Sequence, residues 1–474
     1  MNRSFFGRHR KKLVTAALLL VTPPVAHVVL ARATRIEPPE LHVAPAPRSA
    51  PKPGLLRMGA SYVRHRGKLL EVHLSGSPEQ IGLTHASLLY AEMLSNEGVL
   101  WDLFERFVPS GLARVAVLDL ARLRYRDLGA GIDAARRSEI AAGALGFAPD
   151  PWRDRIDTFQ RFVFLNALYD ISLSFERSPL IGCTSFTFSG AAAANGEALL
   201  GRAFDFEADA IFDEQKAVFF VKEDGKIPFA SVAWPGLVGV VSGMNLAGLG
   251  AVVHGARAGE PQASGEPVVH ALRRVLSTAR TTDEAVRALG ERDVMVSHVI
   301  VLCDASGRCV AVERVPGQEP FLRPLGERGV VSNHLEGPSA GDPKNLHVRE
   351  TTSTLARRRR GDELAQSPGP MTVERVVAML RDRDGAGGTP LPLGDRRAID
   401  ALIATHGVVM NTTRRVLWVS ESPHLLGRFV AFDVGKLLDE GYDPEHDDTE
   451  PESVAADPLL TSGEYARQAA SPRR

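Results

Sequence analysis

The chain opens with an apolar run from Leu13 to Leu30 that carries no acidic or basic side chain apart from His27, preceded by Arg3, Arg8, Arg10, Lys11 and Lys12. A basic start followed by an apolar stretch is the pattern of an export signal, or of one retained as an anchor. Pro23-Pro24 would break an ordinary buried helix and favours a signal. Ala31-Arg32-Ala33 offers small residues at the cleavage spacing. Residues 1–33 are therefore expected to be a signal peptide or membrane anchor. The product would be periplasmic or extracellular, or tethered to the membrane by residues 13–30 and by nothing else. Prolines recur from Glu37 to Pro53, so residues 34–57 are expected to form an extended Pro/Ala-rich linker.

After a short strand pair near Leu55 to Leu74 the apolar spacing becomes helical. Ser77-Pro78-Glu79-Gln80 has the residues of a capping box with proline at the first helical position. Ile81, Leu83, Leu88, Leu89, Met93, Leu94 and Leu100 continue a helical period. Further helical pattern covers Leu112 to Leu128 and Asp154 to Leu173. At Gly182 the period becomes two: Ser185, Thr187 and Ser189 share one face of a strand, Phe186 and Phe188 the other. Strands are predicted at Ala198–Phe204, Ala217–Val221, Phe229–Ala233, Val238–Ser242, Gly248–Val253, His298–Cys303, Cys309–Arg314, Gly329–Ser332, Val416–Ser420 and Phe429–Asp433. Helices are predicted at Pro267–Ala279, Thr282–Leu289, Thr351–Leu364 and Val373–Leu380. This is an α+β chain whose sheets need helical cover. Residues 58–182 read as a mainly helical segment, 183–439 as the strand-rich core, and 440–474 as an acidic disordered tail without apolar period.

With 56 basic and 57 acidic residues the net charge is −1, which disfavours a nucleic-acid binder that relies on a chain-wide positive field. No period of 20–50 residues repeats, so a solenoid is excluded. The sequence holds no His-Glu-x-x-His helix, no phosphate-binding Gly-x-x-x-x-Gly-Lys-Ser/Thr loop and no Gly-x-Ser-x-Gly elbow. Neither a metal nor a cofactor is expected. Cys303 and Cys309 flank a predicted hairpin loop. They either bridge in an oxidising compartment or pack as small reduced side chains. Cys183 stands apart.

Gly182-Cys183-Thr184-Ser185-Phe186 is followed by Leu200-Gly201-Arg202-Ala203-Phe204-Asp205-Phe206, then Gly243-Met244-Asn245-Leu246-Ala247-Gly248-Leu249. Ser332-Asn333-His334, Ser353-x-x-x-Arg357-x-x-Arg360, Leu417-Trp418-Val419 and Phe429-Val430-Ala431-Phe432-Asp433 complete the order. This series resembles the N-terminal-nucleophile (Ntn) hydrolases of the acyl-coenzyme A:6-aminopenicillanic acid acyltransferase-like peptidase C45 group, related to the bile-salt and penicillin V amidases. The opening Gln80-Ile81-Gly82 and His85 are similar to the family's precursor region. The resemblance runs from about Leu74 to Asp433, with Ala203 standing where the family often has asparagine. It implies a four-layer αββα sandwich with a helical N-terminal precursor region, and a chain that cuts itself between Gly182 and Cys183.

The residues suit that chemistry. A thiolate is the attacking form of cysteine, and an α-amine with a pKa of about 8 can take the thiol proton. Cys183 would then carry its own base. Gly182 leaves its carbonyl unhindered. Arg202 would favour the thiolate, Asp205 would hold the new amine, and Asn333 would donate to the oxyanion. The resemblance assigns Arg357 a structural and catalytic role and a main-chain N–H near His254 or Gly255 as second oxyanion donor. One register matters. Asn195-Gly196 invites a two-residue hairpin, which would set Arg202 opposite Ser189 and about 20 Å from Cys183 at ~3.4 Å per residue. A wider loop over Gly190–Gly196 is therefore predicted, with Asn195-Gly196 at its edge.

The expected activity is that of an exported, autoprocessed amide hydrolase or acyltransferase acting on a small N-acyl amide or acyl thioester. The alternatives are an acyl-lipid hydrolase of the phospholipase B-like type and an uncleaved, non-catalytic binding module tethered to the membrane.

Overall fold

A computed structural model describes residues 24–175, 181–207 and 209–469; the first part of the signal-like run, through Pro23, lies outside them. Two sheets form the centre. The first has eleven strands, in the order β1 (Arg48–Lys52), β2 (Leu55–Met58), β3 (Ser61–Arg66), β4 (Leu69–Gly76), β7 (Ala217–Glu223), β8 (Phe229–Ala233), β9 (Ser242–Asn245), β10 (Gly250–Gly255), β11 (His298–Cys303), β12 (Cys309–Arg314) and β13 (Phe321–Pro324). The second has seven, in the order β14 (Arg328–Val331), β5 (Ile181–Phe188), β6 (Leu199–Phe206), β15 (Ala404–Asn411), β16 (Val416–Ser420), β17 (Phe429–Asp433) and β18 (Ser453–Val454). Neighbours are antiparallel except β4 and β7, which run parallel.

Alternation along the strands creates the layers. Val218 and Phe220 of β7 meet Val408, Met410, Leu417 and Phe432 of the other sheet in an apolar seam between the two. Phe219 and Val221 face the opposite way, toward helices α1 (Pro78–Leu88), α7 (Val268–Thr278) and α8 (Thr282–Gly290). On the far side Phe186, Phe188 and Trp418 pack under α10 (Thr354–Ala365) and α11 (Val373–Leu380). The result is helix, sheet, sheet, helix: the αββα sandwich, each layer covering the apolar face of the next. The capping box at Ser77 and Gln80 forms as its residues predict.

The N-terminal segment adds α2 (Tyr90–Phe107), α3 (Gly111–Arg124), α4 (Ala134–Gly146), α5 (Thr158–Leu165) and α6 (Leu168–Leu173). It is locked to the core through a buried quartet. Arg136 of α4 reaches Glu139 and, at 2.5 Å, Glu223 of β7. Arg273 of α7 lies 3.1 Å from Glu139 and 3.3 Å from Glu223. Two guanidinium groups and two carboxylates balance in charge, and removing one partner would leave a buried charge unpaired. Glu139→Ala should therefore lower unfolding free energy by about 3–5 kcal/mol, read from urea denaturation of the full chain. A change below about 1 kcal/mol would show that the quartet contributes little beyond a surface pair.

Two terminal segments differ from expectation. The Pro/Ala-rich residues 34–57 end in the β1–β2 hairpin at the edge of the first sheet, where Leu55 is buried. The acidic C-terminal segment, expected to be a disordered tail, is packed along the described residues to 469. Asp447 pairs with Arg64 and Arg66, Glu445 lies 2.5 Å from Arg57, and Ser453–Val454 adds an edge strand beside β17. Proline content and acidity described these segments locally. The partners of the acidic segment, Arg57, Arg64 and Arg66, sit far from it in sequence.

Candidate active site

Cys183, the third residue of β5, is fully buried. Phe188 pairs with Leu199, so the β5–β6 connection runs over 189–198 as the wide loop predicted, and Ser185 lies opposite Arg202. Asn195 and Gly196 take positive φ of 58° and 67° within that loop rather than forming its only two residues. With side chains alternating, Cys183, Ser185, Arg202 and Phe204 share the face turned into the sandwich.

Arg202 is fully buried and approaches the thiol directly: its Nη2 donates to Cys183 Sγ at 3.2 Å and to the Val253 carbonyl at 2.6 Å. Its Nη1 donates to the Val241 carbonyl at 2.9 Å and to Ser242 Oγ. The cation lies 4.2 Å above the Phe204 ring, and Phe204 is the cross-strand neighbour of Cys183. All these hydrogen-bond acceptors are neutral. A thiolate is the one anion that forms at hydrogen-bond distance. Burial pushes the Cys183 thiol up, and the Arg202 charge pulls it back. In the intact chain burial prevails, which holds the group as a thiol.

The main chain at Cys183 is held from both sides. Its N–H donates to Asn333 Oδ1 at 2.7 Å. Arg357 of α10 donates to the Cys183 carbonyl, to Thr184 Oγ1 at 2.8 Å and to Asn333 Oδ1 at 2.9 Å. Asn333 Nδ2 donates to the Gly255 carbonyl at 3.1 Å. Two donors on Oδ1 and a carbonyl on Nδ2 fix the orientation of the amide. Its second Nδ2 hydrogen has no partner among these contacts.

Asp205 faces Gly182 across the β5–β6 ladder. A Cβ added to Gly182 would lie 2.8 Å from Asp205 Oδ2, so the close approach of the carboxyl requires glycine there. Burial raises the Asp205 carboxyl, with Arg357 the largest opposing influence. His254 and Gly255 end β10 beside Cys183: Val253 and Gly255 present carbonyls, and the His254 ring meets Ser185 Oγ at 2.7 Å. Cys303 and Cys309 stand opposite each other in the β11–β12 hairpin and are bridged.

Three features were not read from the sequence. Tyr169 of α6 brings a buried hydroxyl to the site, without a hydrogen-bond partner among the described residues; a Cβ on Gly255 would stand 3.6 Å from it. An apolar cavity of about 650 Å³ begins at Tyr169 and Phe204 and extends along Leu103, Phe104, Phe206 and Trp234. Its walls come from both the helical segment and the core. The third feature is a relay behind Arg202. Ser242 Oγ accepts from Arg202 and lies 3.0 Å from His406 Nε2. The hydroxyl, with two acceptor lone pairs and one hydrogen, links the Arg202 guanidinium to one nitrogen of the His406 ring. Burial and the Arg202 charge hold the His406 pKa well below its ordinary value, which keeps the imidazole neutral. His406→Ala should move the acid limb of the kcat/KM profile for an acyl p-nitroanilide upward by about one pH unit, equivalent to ~1.4 kcal/mol. His406→Gln, which retains an acceptor, should restore it. Equal profiles for both variants and the unchanged protein would show that His406 does not orient Arg202.

Residues 192–388 match the model of the family described as Acyl-coenzyme A:6-aminopenicillanic acid acyl-transferase; the span contains Arg202, Asp205, Asn333 and Arg357 and begins after Cys183. An uncharacterized protein of Archaeoglobus fulgidus is 26% identical over 268 residues, covering 51% of this chain. The chain spans 42% of that relative's length. Among solved structures, penicillin V acylase from Agrobacterium tumefaciens is similar at 18% identity and a TM-score of 0.37, over 54% of this chain and 89% of that one. The Caenorhabditis elegans ortholog of N-acylethanolamine-hydrolyzing acid amidase is similar at 16% identity and a TM-score of 0.34, over 49% and 93%. The matched span thus contains the later motifs read from the sequence, and the similarity to the acyl-coenzyme A:6-aminopenicillanic acid acyl-transferase model extends over residues 192–388, less than half of the chain.

Proposed function

We propose that the protein is an exported, self-processing thiol enzyme that hydrolyses an N-acyl amide or transfers its acyl group, with an acyl thioester as alternative donor. The observation that carries this reading is the convergence on one residue: Arg202 on the Cys183 sulfur, Asn333 on its nitrogen, Arg357 on its carbonyl. In maturation the sulfur attacks the Gly182 carbonyl carbon. The thiol proton passes to the Cys183 nitrogen as the peptide C–N bond breaks, leaving a thioester and a free α-amine. Water then cleaves the thioester, giving a Gly182 carboxylate and a thiol beside its own amine. In turnover the amine takes the thiol proton, the thiolate attacks the acyl carbon, and the proton returns to the leaving nitrogen. Water or an amine removes the acyl group. The Cys303–Cys309 bridge supports export to an oxidising compartment.

The apolar cavity beside Phe204 supports an acyl group with a long apolar chain. That same feature favours a second reading, an acyl-lipid hydrolase, because an acyl chain fits equally from an amide or an ester. Mass spectrometry of products from an N-decanoyl amino acid and from phosphatidylcholine separates them. Release from the amide supports the first reading; release from the phospholipid alone would replace it with the second.

A further inference from the structure

Helix α3 is inverted. Its sequence, Gly-Leu-Ala-Arg-Val-Ala-Val-Leu-Asp-Leu-Ala-Arg-Leu-Arg, is rich in apolar residues, yet the residue it buries is Arg122. Leu112 is 84% exposed, Leu120 65% and Leu123 43%. At about 100° per residue these three fall within roughly one quarter-turn, so they form a stripe directed away from the protein. Phe107, at the end of α2, is 78% exposed and adjoins the start of that helix. A surface helix ordinarily turns its apolar stripe inward, and an outward one marks an interaction face.

Two observations identify what covers it. Residues 24–33 are helical and expose Val25, Val28 and Val29. They are the downstream end of the apolar run that starts at Leu13, and they are fastened to α3 by His27 Nδ1, 2.8 Å from Asp119. Residues 24–33 thus lie against α3, and both elements expose apolar side chains. Phe107 and Phe175, both exposed, also line the apolar cavity. The cavity is thus lined at its exposed end by Phe107, which adjoins α3.

We infer that α3, the end of α2 and residues 24–33 dock on a lipid bilayer, with the α3 stripe lying at the interface and the cavity mouth turned to the acyl region. This contact goes beyond anchoring by residues 13–30, since it puts α3 itself at the membrane. It holds whether or not the chain cuts itself.

The test uses the full chain with Cys183→Ala, in which Cys303 and Cys309 are bridged and an added cysteine is the reactive thiol. Leu120→Cys and, on α10 of the opposite layer, Arg359→Cys are labelled with an environment-sensitive fluorophore. Each is mixed with phosphatidylcholine–phosphatidylglycerol vesicles containing a spin-labelled acyl chain. The label at 120 should lose at least half its emission while that at 359 stays unchanged. A chain that floats with the vesicles but leaves the label at 120 unquenched would overturn the proposal, as anchoring would then not involve α3. So would failure to float. An emission shift at 120 without vesicles that grows with protein concentration would assign the face to a second copy and equally overturn it.

Discussion

Cys183→Ala should give one intact chain of about the full mass and no detectable turnover, because in the proposed reaction the same sulfur performs both the cut and the acyl transfer. The loss should be complete rather than partial. In the structure no other thiol is free: Cys303 and Cys309 are bridged in a hairpin. Cys183→Ser should cut slowly and turn over poorly, since an alcohol beside Arg202 is less acidic and less nucleophilic than a thiol. Electrophoresis of freshly purified protein and of samples held for days reads the cut. Turnover of an acyl p-nitroanilide reads the second step. Cleavage in the alanine variant at the normal rate would show that a contaminating protease makes the cut.

Asn333→Ala should lower kcat by about 10²–10³-fold with a smaller change in KM, the signature of a donor that acts on the tetrahedral oxyanion. The geometry explains why the effect should be large. Asn333 Oδ1 is engaged by Cys183 N–H and by Arg357, which leaves Nδ2 pointed past Gly255 with one hydrogen uncommitted. The substitution also removes the acceptor of the Cys183 N–H, so maturation should slow as well. Measuring kcat on protein that has already matured separates the two effects. A KM increase with unchanged kcat would assign Asn333 to substrate binding instead.

Of the site, β5 was legible from the alternation of Ser185, Thr187 and Ser189 with Phe186 and Phe188, whereas Asn333, which follows β14, and Arg357, on α10, came from the order of the motifs. Phe229–Ala233, His298–Cys303, Cys309–Arg314, Val416–Ser420 and Phe429–Asp433 form as predicted. The requirement that Arg202 reach Cys183 selected the β5–β6 register against the local turn signal of Asn195-Gly196. Val238–Ser242 was expected as a strand, but the strand is Ser242–Asn245, while Val240 N–H bonds to Val269 of α7. The predicted helix Thr351–Leu364 is two, Pro343–Thr351 and Thr354–Ala365, with extended backbone at Thr352 between them.

The central strand β15, Ala404–Asn411, escaped notice because every residue in it is buried, so no polar face alternates with an apolar one. With it escaped His406 and the relay to Arg202. Helix α4, built largely of alanine, glycine and arginine, shows little periodic contrast, and its role rests on Arg136 and Glu139 finding partners on other elements. Tyr169 could not be assigned for the same reason. Its place beside Cys183 comes from helix packing across the sandwich, a long-range contact that no local spacing encodes.

N-terminal sequencing of the purified, active protein tests the central claim most directly. The account predicts two chains, the larger beginning Cys-Thr-Ser-Phe at Cys183. An active preparation in which Gly182 remains bonded to Cys183 would contradict it, because the thiol would then have no α-amine to act as its base.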